Sequence, residues 1–190
     1  FLLKLIKQLN LKNVFIVGAI SGLLVATKIS SLPLLTIPIF SLLINYISNA
    51  KSVRHILYVF SFVLISLIIF SITSPYVFFD TFSFISSIRY ESSVALGSLP
   101  VFYTEEFFNS LPIFFQFTKI YPFLINPILT IIFIPSFFYV FSKWIKTKDS
   151  KYLILNTCCL ILFIPQAFLF AKWTRYIVPT LPFIYLIISI

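Results

Sequence analysis

The chain has 190 residues, of which 60% are hydrophobic and 10% charged, with a mean hydropathy of +1.07 and a formal charge of +9. Soluble domains carry about a quarter charged residues, and a chain of this length with so little polar surface cannot cover its own core, which excludes a soluble globule and leaves an integral membrane protein. The positive excess matches the lysine and arginine bias of membrane-protein loops; no basic and aromatic surface suits a nucleic acid, and no nucleic-acid partner is expected.

Residues 1–12 place Lys4, Lys7 and Lys12 among leucines and predict an interfacial helix or the end of an earlier span. Residues 13–27 predict a short span in which Gly18 and Gly22, four apart, let another helix approach closely. At 1.5 Å per residue this span is slightly short of a hydrocarbon core of about 30 Å, and Lys28 ends it. Residues 31–48 predict the next span, bent or broken near Pro33 and Pro38. A polar connection with Lys51, Arg54 and His55 follows, then a span over 56–72.

Residues 73–110 read as one long outer-face insert holding Asp80, Arg89, Glu91, Glu105 and Glu106, and so four of the chain's five acids. Its end, 104–118, predicts an amphipathic helix lying in the interface. Spans at 120–141 and 152–171 flank a basic connection from Lys143 to Lys151. A short Lys-Trp-Thr-Arg connection then opens a last span from Tyr176. The expected fold is therefore all-α: a polytopic transmembrane helical bundle of about six spans, with interfacial helices in the insert. Cys158 and Cys159 are adjacent inside an apolar run and read as small helix residues. One histidine, His55, cannot build an imidazole metal cluster, so no metal site is expected. With no Met and an apolar run still open at Ile190, residues 1–190 read as a fragment of one larger transmembrane domain.

Two topologies compete. If 13–48 were one span, the basic connections at 51–54 and 143–151 would face outward. If 13–48 is a hairpin turning at Lys28, nine cations face the cytoplasm: Lys4, Lys7, Lys12, Lys51, Arg54, Lys143, Lys146, Lys148 and Lys151. Five then lie outside: Lys28, Arg89, Lys119, Lys172 and Arg175. The positive-inside rule selects the hairpin and a multi-pass protein of the cytoplasmic membrane whose functional face is extracytoplasmic.

Cations on the outer rim run against that rule, so each needs an account. Snorkelling, or pairing with the acids of the insert, is one; binding an anionic lipid headgroup such as a polyprenyl phosphate is the other. Lys172 and Arg175 are three apart and share a face if the last helix starts there. Arg175 can clamp a phosphate bidentately while Lys172 acts as a point charge. Pro179 and Pro182 leave the carbonyls of Arg175 and Val178 without helical donors, so an irregular helix start is expected beside Tyr176. Asp80 and Glu91 flank Arg89 and can hold sugar hydroxyls, act as a base or stay salt-bridged in a loop. Tyr76, Tyr90, Tyr103, Phe82 and Phe84 can stack on a sugar or form an interfacial belt. There is no glycine-rich phosphate loop or nucleophile elbow.

Four stretches carry a resemblance: GAISGLLVATKISSLPLLTIP (18–38), SPYVFFD (74–80), RYESSVALGSLPVFYT (89–104) and KWTRYIVPTLPFIYL (172–186). In this order and spacing the chain resembles the C-type integral-membrane glycosyltransferases, relatives of the protein O-mannosyltransferases and the bacterial lipid-A aminoarabinose transferases. The resemblance implies a transferase taking a sugar from a polyprenyl-phosphate donor to a protein, lipid or glycan acceptor on the outer face of the membrane. It implies that Lys28, Lys172 and Arg175 lie near the lipid-phosphate leaving group, and that a catalytic Asp belongs to a loop preceding Phe1. Asp80, Arg89, Glu91, Tyr103 and Tyr176 are candidates from their place in the chain, not from the resemblance. No cofactor is expected, since the lipid-linked sugar is a substrate; a divalent-ion requirement is left open. A polytopic transporter or lipid flippase, or a non-catalytic membrane scaffold, are the competing functions; transporters place ionisable sites near the midplane, and here they cluster at the edges.

Overall fold

A computed structural model describes residues 2–48 and 53–190; Lys51, assigned above to the inner face, lies outside them. The described residues form helices and turns with no strand, as the apolar runs predict. Among the described residues, three helices are long and apolar enough to cross a membrane: Arg54–Thr73, Pro127–Thr147 and Ser150–Ala167. Shorter apolar helices cover Leu11–Thr27, Ile29–Leu43 and Thr174–Ile188, so the six-span expectation is met in part. The chain divides into two compact units, Phe1–Phe84 and Ile85–Ile190, and the division falls within 73–110.

The first unit contains α1 (Leu2–Lys7), α2 (Leu11–Thr27), a 3-10 turn (Ile29–Leu35), α3 (Thr36–Ser48), α4 (Val53–Thr73) and α5 (Tyr76–Phe79). Asn10 caps α2 by accepting the Asn13 N–H at 2.8 Å. The two glycines of α2 face α4. A Cβ on Gly22 would stand 2.5 Å from the Ser66 carbonyl oxygen, and one on Gly18 would meet Ile65 at 3.1 Å. Ser66 reinforces the contact, its hydroxyl lying 3.0 Å from the Gly18 carbonyl. The register rises together, Gly18 on Phe62 and Ile65, Gly22 on Ser66 and Ile69, so α2 and α4 run parallel. Parallel neighbours joined through α3 require the chain to double back between them. It does so after Lys28, which is extended at φ −155°, through the 3-10 turn that carries Pro33. Residues 13–48 are therefore a hairpin and not one straight helix. Leu5, Val14, Val17, Leu42 and Phe62 form the core of this unit.

The second unit begins within α6 (Thr81–Leu96) and continues through a 3-10 turn (Phe102–Phe107), a π-turn (Gln116–Ile120) and α7 (Tyr121–Leu124). Then come α8 (Pro127–Thr147), α9 (Ser150–Ala167), α10 (Thr174–Ile177), a 3-10 turn (Val178–Thr180) and α11 (Leu181–Ile188). Lys148, at φ 55°, ends α8, and Asp149 caps α9 by accepting the Lys151 N–H at 3.1 Å, so α8 and α9 run antiparallel. Cys158 and Cys159 are buried and unbridged on α9. Tyr121, Phe133, Val140, Cys159, Ile177 and Ile184 fill the core.

The single interfacial helix expected over 104–118 does not form. Asn109 at φ 58° and Ile113 at φ 67° are left-handed, and Pro112 lacks the N–H a helix needs there. Where the helix resumes, Pro122 cannot donate to Thr118, and the Tyr121 N–H reaches back five residues to the Gln116 carbonyl. The span expected at 120–141 accordingly starts at Pro127, after Asn126 at φ 97°.

Candidate functional site

The site lies at the C-terminal end of α9, in the connection to α10. Three contacts fix that connection. The Ala171 N–H donates to the Ala95 carbonyl at 3.1 Å, satisfying an orphan acceptor at the end of α6. Gly97, at φ +79°, ends α6 and leaves room for the Phe170 ring, which would stand 2.7 Å from any Cβ there. Gln116, fully buried on the π-turn, donates through Nε2 to the Ala167 carbonyl at 3.2 Å. Its Oε1 is buried with no hydrogen-bond partner.

Held this way, Trp173 and Arg175 face the end of α6 and the 3-10 turn. The Arg175 guanidinium carbon lies 4.3 Å from the Trp173 ring centroid and 5.4 Å from that of Tyr176. Arg175 Nη2 is 3.4 Å from Glu91 Oε2, in an ion pair about 60% exposed on both sides. The Tyr103 ring tilts 33° to the indole at 5.8 Å. Tyr90, Glu91 and Val94 from α6, Tyr103 from the 3-10 turn, and Trp173, Thr174 and Arg175 line an open cleft of about 400 Å³. That volume is in the range of small-ligand sites. The Tyr103 phenol titrates above the usual tyrosine range, first because of its hydrogen bond with Tyr90, then because of desolvation and the charge of Glu91.

Of the eight candidates, Glu91, Tyr103 and Arg175 meet in this cleft. Tyr176 packs beside the Arg175 guanidinium. Lys172 does not share a helical face with Arg175, because α10 starts at Thr174 and Trp173 is extended. Lys172 is instead 5% exposed, its Nζ donating to the Phe170 carbonyl at 3.3 Å, and burial pushes its pKa down. Arg89 is exposed on α6 and does not line the cleft. Asp80 and Lys28 belong to the first unit. Asp80 accepts the Ser83 N–H at 3.2 Å and caps α6; Lys28 is half-buried at the end of α2. The irregular helix start expected near Pro179 is the 3-10 turn Val178–Thr180.

Trp173 is the cleft residue that the sequence reading passes over. The signal was present: a lone indole inside a four-residue connection, two positions before an arginine. Comparison with family models, curated proteins and solved structures finds no match for this chain.

The cleft combines a guanidinium, a carboxylate, two phenols and an indole. Aromatic faces can pack against the C–H face of a pyranose, the polar groups can take its hydroxyls, and the guanidinium can take a phosphate.

Proposed function

We propose that the chain is part of a membrane glycosyltransferase that moves a sugar from a polyprenyl-phosphate donor to a protein, lipid or glycan acceptor on the outer face of the cytoplasmic membrane. One observation carries the reading: Arg175, Glu91, Tyr103 and Trp173 share a cleft of sugar-phosphate size. The cleft lies at the end of α9 away from the basic turn Lys143–Lys151, about 27 Å along the helix. If that turn is cytoplasmic, the cleft opens at the outer rim.

The chemistry follows from charge. In sugar transfer from a lipid phosphate the acceptor's lone pair bonds to the anomeric carbon as the bond from that carbon to the phosphate oxygen breaks; the phosphate departs carrying the electron pair, and the acceptor's proton passes to a base. Arg175 is placed to stabilise that charge, and fixed cations act most strongly where water is scarce. Tyr103, on the wall of the cleft, offers a neutral hydroxyl to the sugar.

The test is consumption of radiolabelled polyprenyl-phosphate sugar by membranes containing the protein. Arg175→Ala is expected to lower transfer about 100-fold, the scale of losing one transition-state donor, with membrane insertion unchanged. An unchanged rate rules out the phosphate role. A donor left inert by the unmodified protein favours a transporter or scaffold.

A further inference from the structure

The ion pair inside the cleft has a property beyond holding Arg175 still. Glu91 rests on Nη2, at 3.4 Å. Nη2 belongs to both forks with which a guanidinium grips a tetrahedral anion, the pair Nε–Nη2 and the pair Nη1–Nη2. The Trp173 ring covers a face of the guanidinium at 4.3 Å, which directs anions to its edges. A carboxylate on Nη2 stands beside either fork and repels an arriving phosphate. The pair is also weak: both side chains are about 60% exposed, and exposed pairs of this kind contribute little.

We propose that Glu91 is a resident counter-anion that competes with the phosphate of the substrate for Arg175. Phosphate binding displaces the carboxylate, and the freed Glu91, still on the wall of the cleft beside Tyr90, turns to the hydroxyls of the sugar. Glu91 thus couples arrival of the phosphate to capture of the sugar. This rests on the lipid-phosphate reading of the cleft, and it assigns Glu91 a specificity role: ligands with phosphate but no sugar leave the displaced carboxylate unsatisfied and bind less well than the complete donor.

The experiment measures binding to the membrane-embedded protein of two probes, inorganic phosphate and vesicles doped with polyprenyl monophosphate. Glu91→Gln removes the competing charge and keeps the shape. It is expected to tighten binding of both probes about fivefold, the scale of one exposed ion pair, and Arg175→Ala is expected to erase the gain. In transfer assays Glu91→Gln is expected to lower KM for the donor and lower kcat together, a split that loss of packing would not produce; Glu91→Asp is expected to restore kcat in part. Unchanged or weaker binding of both probes by Glu91→Gln overturns the proposal, as does a gain that survives Arg175→Ala. A gain with inorganic phosphate alone upholds the competition and refutes the lipid-phosphate donor, so the two failures are separate.

Discussion

At the scale of single residues, Lys172 and Arg175 show how far three positions in a sequence can differ. Arg175 reaches the cleft, whereas Lys172 is buried against Phe115 and the carbonyl of Phe170. Burial disfavours the charged form, so native Lys172 holds its proton less tightly than the unfolded chain does. Between the lowered native value and the ordinary lysine value the unfolded chain binds more protons, and stability rises with pH through that window. The penalty is full below the native value. Lys172→Met is expected to flatten this alkaline rise and to raise the melting temperature at neutral pH, measured by thermal unfolding in detergent across pH. An alkaline rise of the same size in the variant would show that another group is responsible. Charge alone marked both cations as exceptional. The fate of each depended on Trp173 being extended, which breaks the helical spacing and which residue types do not encode.

Among elements, the α2–α4 pair is the tightest helix contact in the first unit, and its two glycines are not equivalent. A methyl on Gly22 meets the Ser66 carbonyl oxygen at 2.5 Å and Ile69 at 2.9 Å, while one on Gly18 comes no nearer than 3.1 Å, to Ile65, and 3.2 Å, to the Phe62 carbonyl oxygen. Gly22→Ala is therefore expected to cost about 1–3 kcal/mol, as overpacking does, and Gly18→Ala clearly less. Denaturant titration of the two variants checks the order; equal costs would mean that the helices separate freely. The small-residue face of α2 was legible because Gly18 and Gly22 are four apart. Its partner was not, because Ser66 lies 48 residues from Gly18 and no local pattern links them. Apolar length located α4, α8 and α9. The amphipathic pattern over 104–118 misled, because three interruptions act there on the backbone: Asn109 and Ile113 in left-handed conformations and Pro112 without a donor. Only the proline is visible as a breaker, and an isoleucine at positive φ runs against its own preference.

For the molecule as a whole, sidedness is the quantity that charge patterning predicts. Impermeant thiol labelling from outside the cell is expected to reach Ser98→Cys, near the cleft, and not Thr147→Cys, at the basic turn; both positions are exposed. Cys158 and Cys159 are buried and contribute little background. The reverse pattern would put the cleft in the cytoplasm and remove the outer-face reading. The sign of the loops was legible residue by residue, and the doubling back of 13–48 agrees with it. The cleft was legible only in part, through Glu91, Tyr103 and Arg175, because its walls come from α6, the 3-10 turn and the connection after α9. The parallel run of α2 and α4 has an electrostatic corollary. Both helices begin at the same rim with no acid in the first turn, and Lys12 and Arg54 each occupy a second helical position. Two partially positive macrodipole ends and two cations are thus crowded on one edge, a repulsion that the protein does not neutralise with its own first-turn carboxylates and that an anionic lipid leaflet would relieve.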